Sequence, residues 1–481
     1  LNDDISLYTS FLSTGLTVFG IFAAILALAG IAISVLTSSV HTKSIQVYEY
    51  ELKSILKRAR KHDQTLREMI ANHSPSEKFT SSILECARNA VKQGVGAEVL
   101  WGHAVLAQED NRWQDALTYW NGVLAIFPQD IIALACASLS AAKTALETTG
   151  KEQENYFKYA EKCLQKIPLN KLTTEMYTNW GILYMAWGEI SPTNKEHFFS
   201  LAENKYKLAI NCNPVNALAW SNWGQLCKLR GEMATSPDDK KHWFDLAEEK
   251  YIHAAKDDPL NDKIFFNWGT LCESREQEES SNNQNYWLKC AEDKYKRAIQ
   301  INPEYAPSWS NLANIYMRQG KSAAPDLQGK FFELADENYT HAIEIDCNDY
   351  IIWLNWANLY AFRFEHTSQK DEFFILAKQK YEKAIQLSPN NTDILLAFGH
   401  LYSVKGNLSV SQECIYWYIL AEEILEKLIS IDHNNISALY NLGIIYLSHA
   451  IKEQNGSKEN ILNNIENICT QILKLNHDNL N

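Results

Sequence analysis

Hydrophobic and polar positions change regime along the chain. Residues 5–40 contain no charged side chain, and residues 11–36 are almost wholly apolar. This length predicts one bilayer-spanning helix, because a hydrocarbon core needs about 20 apolar residues. The preceding residues Asn2, Asp3 and Asp4 are unlike the basic start of a cleavable signal. Lys43, Lys53, Lys57, Arg58, Arg60, Lys61 and Arg67 follow the span and no Lys or Arg precedes it. The positive-inside rule then puts the N-terminus outside and the body in the cytosol or its organellar equivalent. The sequence opens on Leu1 rather than Met, which leaves room for a preceding segment. Next, Ile45, Tyr48, Leu52, Ile55, Ala59, His62, Leu66 and Met69 alternate at spacings of three and four. That is a heptad seam, read as a helical linker and a candidate coiled-coil stalk. Ser74, Pro75 and Glu77 then form a helix-start signal.

From about residue 97 the pattern becomes periodic. Ala202, Ala247, Ala291, Ala335, Ala377 and Ala421 recur every 42–45 residues. Tyr206, Tyr251, Tyr295, Tyr339 and Tyr381 lie four residues after the first five. An aromatic pair precedes most copies, as in Phe198-Phe199, Trp243-Phe244, Phe331-Phe332 and Phe373-Phe374. Pro214, Pro259, Pro303 and Pro389 follow the end of the phrase. A second phrase lies ahead of each: Trp220-x-Asn222-Trp223-Gly224, Phe265-x-Asn267-Trp268-Gly269, Trp309-x-Asn311-Leu312-Ala313 and Trp353-x-Asn355-Trp356-Ala357. Small residues that let two helices approach, large ones that fill around them, and a terminating proline predict a helical hairpin. One hairpin cannot bury its apolar face alone, so copies must stack. Ser191-Pro192 and Ser236-Pro237 predict early starts for the second helix of their copies, with the loops between paired helices polar, as over residues 276–285.

These residues resemble the tetratricopeptide repeat, whose pattern is W-x-x-L-G-x-x-Y, then A-x-x-x-F/Y-x-x-A, then P. The segment 97–130 has the family's standard length, with Leu100, Ala116, Trp120, Val123 and Pro128 at its key sites. Later copies are longer than the family's. The resemblance implies an all-α fold: a right-handed α-solenoid of helical hairpins, here preceded by one transmembrane helix and a helical linker. The expected organisation is an anchor over 1–40, the linker over 41–74, a lead-in helix over 75–96, and about nine repeats over 97–481 including a polar capping helix.

Charge and chemistry narrow the function. Net charge is −13, with +1 on residues 1–74 and −14 on the rest. An acidic body repels phosphate backbones, so no nucleic-acid partner is expected. The ten cysteines are dispersed and none forms a C-x-x-C pair. They read as small apolar core residues of a reducing compartment. No zincin, Walker, nucleophile-elbow or dinucleotide signature occurs. The expectation is therefore a non-enzyme with no metal and no cofactor.

Family members present a groove lined by the first helix of each repeat, which implies protein partners. Carried onto this chain, the groove positions include Ser221, Gln225, Lys228, Lys263, Thr270, Glu273, Ser310, Asn314, Arg318 and Asn358, and then Phe362, Leu396, His400, Tyr440 and Ile444, so the face is expected to turn from polar to apolar toward the C-terminus. Of these, Gln225, Lys228, Lys263, Thr270, Asn314, Arg318, Asn358 and His400 are the candidate protein-binding residues. The Lys/Asn/Asn/Lys/Arg clamp of chaperone-binding members matches only at Asn222 and Lys263, with Thr178, Ile182 and Asn267 in the other places. A chaperone-tail site is thus not expected. The combined reading is a scaffold that holds other proteins at a bilayer crossed by residues 11–36. The alternative is a homo-oligomer built through anchor, stalk and repeat edges.

Overall fold

The computed structural model describes residues 97–478 except 279–280, 368–369, 410–411 and 453–457, with a few positions between 84 and 91. The expected membrane span and stalk lie outside the described residues. Among the described residues no helix is long and apolar enough to cross a membrane.

The described residues form eighteen α-helices and one short 3-10 helix, with no strand. They pair as nine hairpins, each with a first helix A and a second helix B. The hairpins are α1 (Ala97–Glu109) with α2 (Trp113–Ile126), α3 (Ile131–Glu147) with α4 (Gly150–Gln165), and α5 (Thr174–Glu189) with α6 (Lys195–Cys212). Next come α7 (Ala217–Met233) with α8 (Pro237–Asp257), α9 (Asp262–Glu278) with α10 (Ser281–Ile301), and α11 (Ala306–Ser322) with α12 (Pro325–Ile345). The last are α13 (Tyr350–His366) with α14 (Lys370–Leu387), α15 (Thr392–Leu408) with α16 (Gln412–Ile431), and α17 (Ile436–Lys452) with α18 (Lys458–Asp478). The chain divides into two compact units, Leu1–Pro259 and Leu260–Asn481. Four hairpins lie in the first unit and five in the second.

Local chemistry sets the boundaries. Asp130, Thr173, Asn216, Ser236 and Asn391 each accept a hydrogen bond from a backbone N–H in the first turn that follows. Such caps satisfy donors that have no partner inside the helix. Ser236 and Pro237 start α8 as the sequence predicts. Ser191-Pro192 does not start α6, which begins at Lys195 after Asn194. There the backbone N–H of Asn194 bonds the Ser191 carbonyl in a turn, so proline serves the turn rather than the helix. The expected loop over 276–285 is also shorter than predicted, because α9 runs to Glu278 and α10 starts at Ser281.

Three kinds of layer recur in the hairpins from α5–α6 to α13–α14, though not all three in every copy. The middle layer sets a fully buried tyrosine of helix B (Tyr206, Tyr251, Tyr295, Tyr339 or Tyr381) against a glycine or alanine of helix A. A methyl group on Gly269 would lie 2.6 Å from the Tyr295 ring, inside van der Waals contact. One layer on, Lys205, Lys294 and Lys380 of helix B cover Trp180, Trp268 and Trp356 of helix A at 3.4, 3.4 and 3.3 Å from the ring centroids. A cation over an indole face contributes about 0.5–2 kcal/mol. The third layer lies near the turn. Phe199, Phe244 and Phe332 pack where Gly188, Gly231 and Gly320 leave space, while Arg230, Arg275 and Arg363 stack over Trp243, Trp287 and Phe373 at 4.6, 4.5 and 4.0 Å.

Neighbouring hairpins join through the start of helix A. The indole N–H groups of Trp220, Trp309 and Trp353 donate to the carbonyls of Pro214, Pro303 and Cys347, each six residues back. In the first unit Tyr177, Ala209 and Ala219 form a shared buried cluster across α5, α6 and α7.

Candidate functional site: the helix A face

Successive A helices lie side by side within each unit. In the first, α5 touches both α3 and α7; in the second, α11 touches α13, α13 touches α15, and α15 touches α17. Of the eight candidate residues, Gln225 and Lys228 are in the first unit and the other six in the second.

Three of the eight have a packing role that their spacing did not reveal. Gln225 accepts a hydrogen bond from the Tyr251 hydroxyl at 3.2 Å, Asn314 accepts from Tyr339, and Asn358 accepts from Tyr381 at 2.6 Å. Each amide sits one residue after the small residue that faces that tyrosine. Burial pushes the Tyr339 and Tyr381 hydroxyls above their ordinary range, so they stay protonated donors. In α9 this position is Thr270, which donates to the Asn267 carbonyl at 2.8 Å. Tyr295 donates to Glu273 instead.

Charge pairs cross between neighbouring A helices of the second unit. Arg318 of α11 pairs with Glu273 at 3.2 Å and with Glu276, both on α9. Lys321 of α11 lies 4.7 Å over the Phe362 ring of α13. His400 of α15 is 3.5 Å from Glu365 of α13. The hydrogen bond with Glu365 raises the His400 pKa, and the same bond lowers that of Glu365. In the first unit Lys228 pairs with Glu232 of its own helix at 2.7 Å. Lys263 is exposed in the first turn of α9. Ser221 and Ser310, expected on the groove, are buried at 6% and 4% exposure. The close approach of the next helix at this register covers a side chain that short.

The face ends in an apolar stripe. Tyr440, Ile444, Leu447 and Ile451 of α17 are exposed at 61%, 41%, 52% and 72%. Their spacing of four, three and four residues places them on one side of the helix. The stripe contains Tyr440 and Ile444 and runs about two turns past them, whereas Phe362 and Leu396 are half-buried.

Sequence reasoning missed the arginine and lysine stacks, although the repeats carry a signal for one. Lys precedes the helix B tyrosine wherever helix A has Trp before its small residue, as in Trp180/Lys205, Trp223/Lys250, Trp268/Lys294 and Trp356/Lys380. Where the Trp becomes Leu312, the Lys becomes Asn338, which bonds the Leu334 carbonyl instead. A hollow of about 280 Å³ in the first unit is lined by Glu196, Arg230 and Trp243 among others. Its arginine is already engaged by Glu196 at 2.8 Å, by Ser200 at 3.2 Å and by Glu203, so the hollow is a by-product of packing. The cysteines are only partly core residues. Cys136, Cys163, Cys227, Cys272 and Cys414 are buried, but Cys212, Cys347 and Cys469 are exposed. Among the described residues no group of three or more His, Cys, Asp or Glu is placed to hold a metal ion.

A family model described as tetratricopeptide repeat matches residues 294–324, from the end of α10 through α11. No protein with a curated description matches the chain. Solved structures with similar helical arrays include a tetratricopeptide protein of Thermus thermophilus, 16% identical over 48% of this chain and 98% of that one, at a TM-score of 0.34. The Pseudomonas aeruginosa protein pilF is 17% identical over 56% and 95%, at 0.37. A chain of the APC/C hetero-tetramer Cut9-Hcn1 is 14% identical over 76% and 59%, at 0.44. The family match at α10 and α11 supports the tetratricopeptide family for this all-α array of helical hairpins.

Proposed function

We propose that this chain is a protein-binding scaffold that engages partners along its helix A face and carries them at a membrane. The observation that supports it most is the exposed stripe of Tyr440, Ile444, Leu447 and Ile451. An apolar helix face next to polar, paired side chains suits a partner segment that buries a few hydrophobic anchors. Within the second unit, the polar candidates would give such a segment its register. In Gln225, Asn314 and Asn358 the carbonyl oxygen is committed to a tyrosine, so the amide NH2 is the end that would donate to a partner's backbone. Lys263, Thr270, Arg318 and His400 would add contacts in the second unit, and Lys228 in the first. The longer period is read as an extended form of the repeat, in which the added turns carry the aromatic pair.

Membrane attachment rests on the charge-free apolar run over residues 11–36. The basic residues after it support a cytosolic body. The proposed activity is binding without catalysis.

The test is the native mass and subunit composition of the intact chain extracted in mild detergent. Stoichiometric foreign subunits, lost on Tyr440→Ser/Leu447→Ser with the fold retained, are expected. A bare multiple of the 55.0 kDa chain would instead favour self-assembly. Recovery in an aqueous wash of membranes at alkaline pH would refute the anchor.

A further inference from the structure

The α9–α10 hairpin departs from its fellow copies at two positions that face each other. The residue before the helix B alanine is Leu201, Leu246, Leu334, Leu376 and Leu420 in five copies, and Cys290 in this one. Three residues after the small residue of helix A, five copies have Tyr184, Tyr316, Tyr360, Tyr402 and Tyr446. Cys227 and Cys272 stand there in α7 and α9, but the copy with Cys227 retains Leu246. Both positions are cysteine in the α9–α10 copy, and their Sγ atoms lie 2.8 Å apart across the helix A–helix B contact. Cys272 is buried and Cys290 is half-buried. One thiol is thus reachable by a small oxidant, and the second is already positioned against it.

We propose that Cys272 and Cys290 form a reversible dithiol–disulfide modification site that takes hydrogen peroxide as oxidant. The half-buried Cys290 thiolate attacks the peroxide, forming an S–O bond as the O–O bond breaks, and the leaving oxygen departs as water once protonated. The Cys272 sulfur then attacks the Cys290 sulfenic acid. The S–S bond forms and the hydroxyl leaves as a second water, taking the thiol proton. Two thiols are oxidised and one peroxide is reduced to two waters. A thiol reductant reverses the link by exchange. The bond would clamp α9 to α10 beside Glu273, which receives the Tyr295 hydroxyl hydrogen bond and pairs with Arg318. The partners of Arg318 would then be held on a cross-linked hairpin.

The experiment uses the full chain, reduced, freed of reductant, exposed to hydrogen peroxide, alkylated and digested without reductant. The expected product is a peptide pair joining Cys272 to Cys290, lighter by two hydrogens than the separate thiol peptides and released by dithiothreitol. Amide exchange in α9 and α10 should slow by about tenfold in the oxidised chain, because the link restricts local opening. Cys290→Leu, which installs the residue of five other copies, should keep the helix content and abolish both effects; Cys290→Ser provides a second variant. Undiminished alkylation of both cysteines after peroxide, oxidation of Cys290 to a sulfonate without a link, or a link from Cys290 to another cysteine would each overturn the proposal.

Discussion

Replacing Gly231 by alanine tests the steric logic of the hairpin. In a helix interior alanine is favoured over glycine by about 0.5–1 kcal/mol, so propensity alone predicts stabilisation. At Gly231 the new methyl would lie 2.5 Å from two carbons of the Phe244 ring, which is itself 3% exposed. The ring has little room to withdraw, and overpacking of this kind costs about 1–3 kcal/mol. The expected net effect is a loss of about 1–2 kcal/mol. The same change at Gly443 places the methyl 3.6 Å from Ile468, an ordinary contact. There the propensity gain should survive, raising stability by about 0.5 kcal/mol. Hydrogen exchange of α7 with α8, and of α17 with α18, reads each hairpin separately, which matters because repeat arrays need not unfold as one unit. The α9–α10 copy supplies the rescue. It has Leu288 in place of the ring and Glu276 in place of the glycine. Gly231→Ala/Phe244→Leu should therefore lose less than the two single losses added together. Equal gains at Gly231 and Gly443, or strict additivity in the double variant, would refute the reasoning.

Three further outcomes follow from the same contacts. Tyr381→Phe should cost about 1 kcal/mol, Asn358→Ala a similar amount, and the double variant less than their sum, because both remove one hydrogen bond; denaturation of the four proteins measures it. Arg318→Ala leaves Glu276, which is 8% exposed, without that partner and should cost about 3 kcal/mol; adding Glu276→Gly, the residue of four other copies, should recover part of it. The third concerns pH. His400 has its folded pKa raised above 6.5, so its share is fully present below that value and is lost as pH rises through the folded pKa. Glu365 has its folded pKa lowered below 4.5, so its share is present above that value and is lost as pH falls through the folded pKa. The pair should be strongest between about pH 4.5 and 6.5 and contribute under about 1 kcal/mol, since His400 is 58% exposed. An NMR titration should show the His400 pKa fall on Glu365→Gln.

What the sequence determined by itself is the hairpin array. The recurrence of Ala202, Ala247 and their equivalents, the tyrosine four residues on and the cap at Ser236 act within one helix or one pair of helices. Their physics is periodicity, size complementarity and unsatisfied end groups, all readable along the chain. That Tyr440 and Ile444 share one helical side was legible for the same reason.

Tertiary structure alone decided how those faces are used. Gln225, Asn314 and Asn358 look like free groove positions along the sequence, but each takes a tyrosine hydroxyl from the facing helix. Ser221 and Ser310 carry groove spacing and are buried. Arg318 meets Glu273 and Glu276 from the previous hairpin, and Cys272 meets Cys290 across a helix contact. These meetings depend on the rotation and close approach of one helix against another. A single-helix period fixes which side a residue occupies; the depth at which the neighbouring helix settles decides what that side touches.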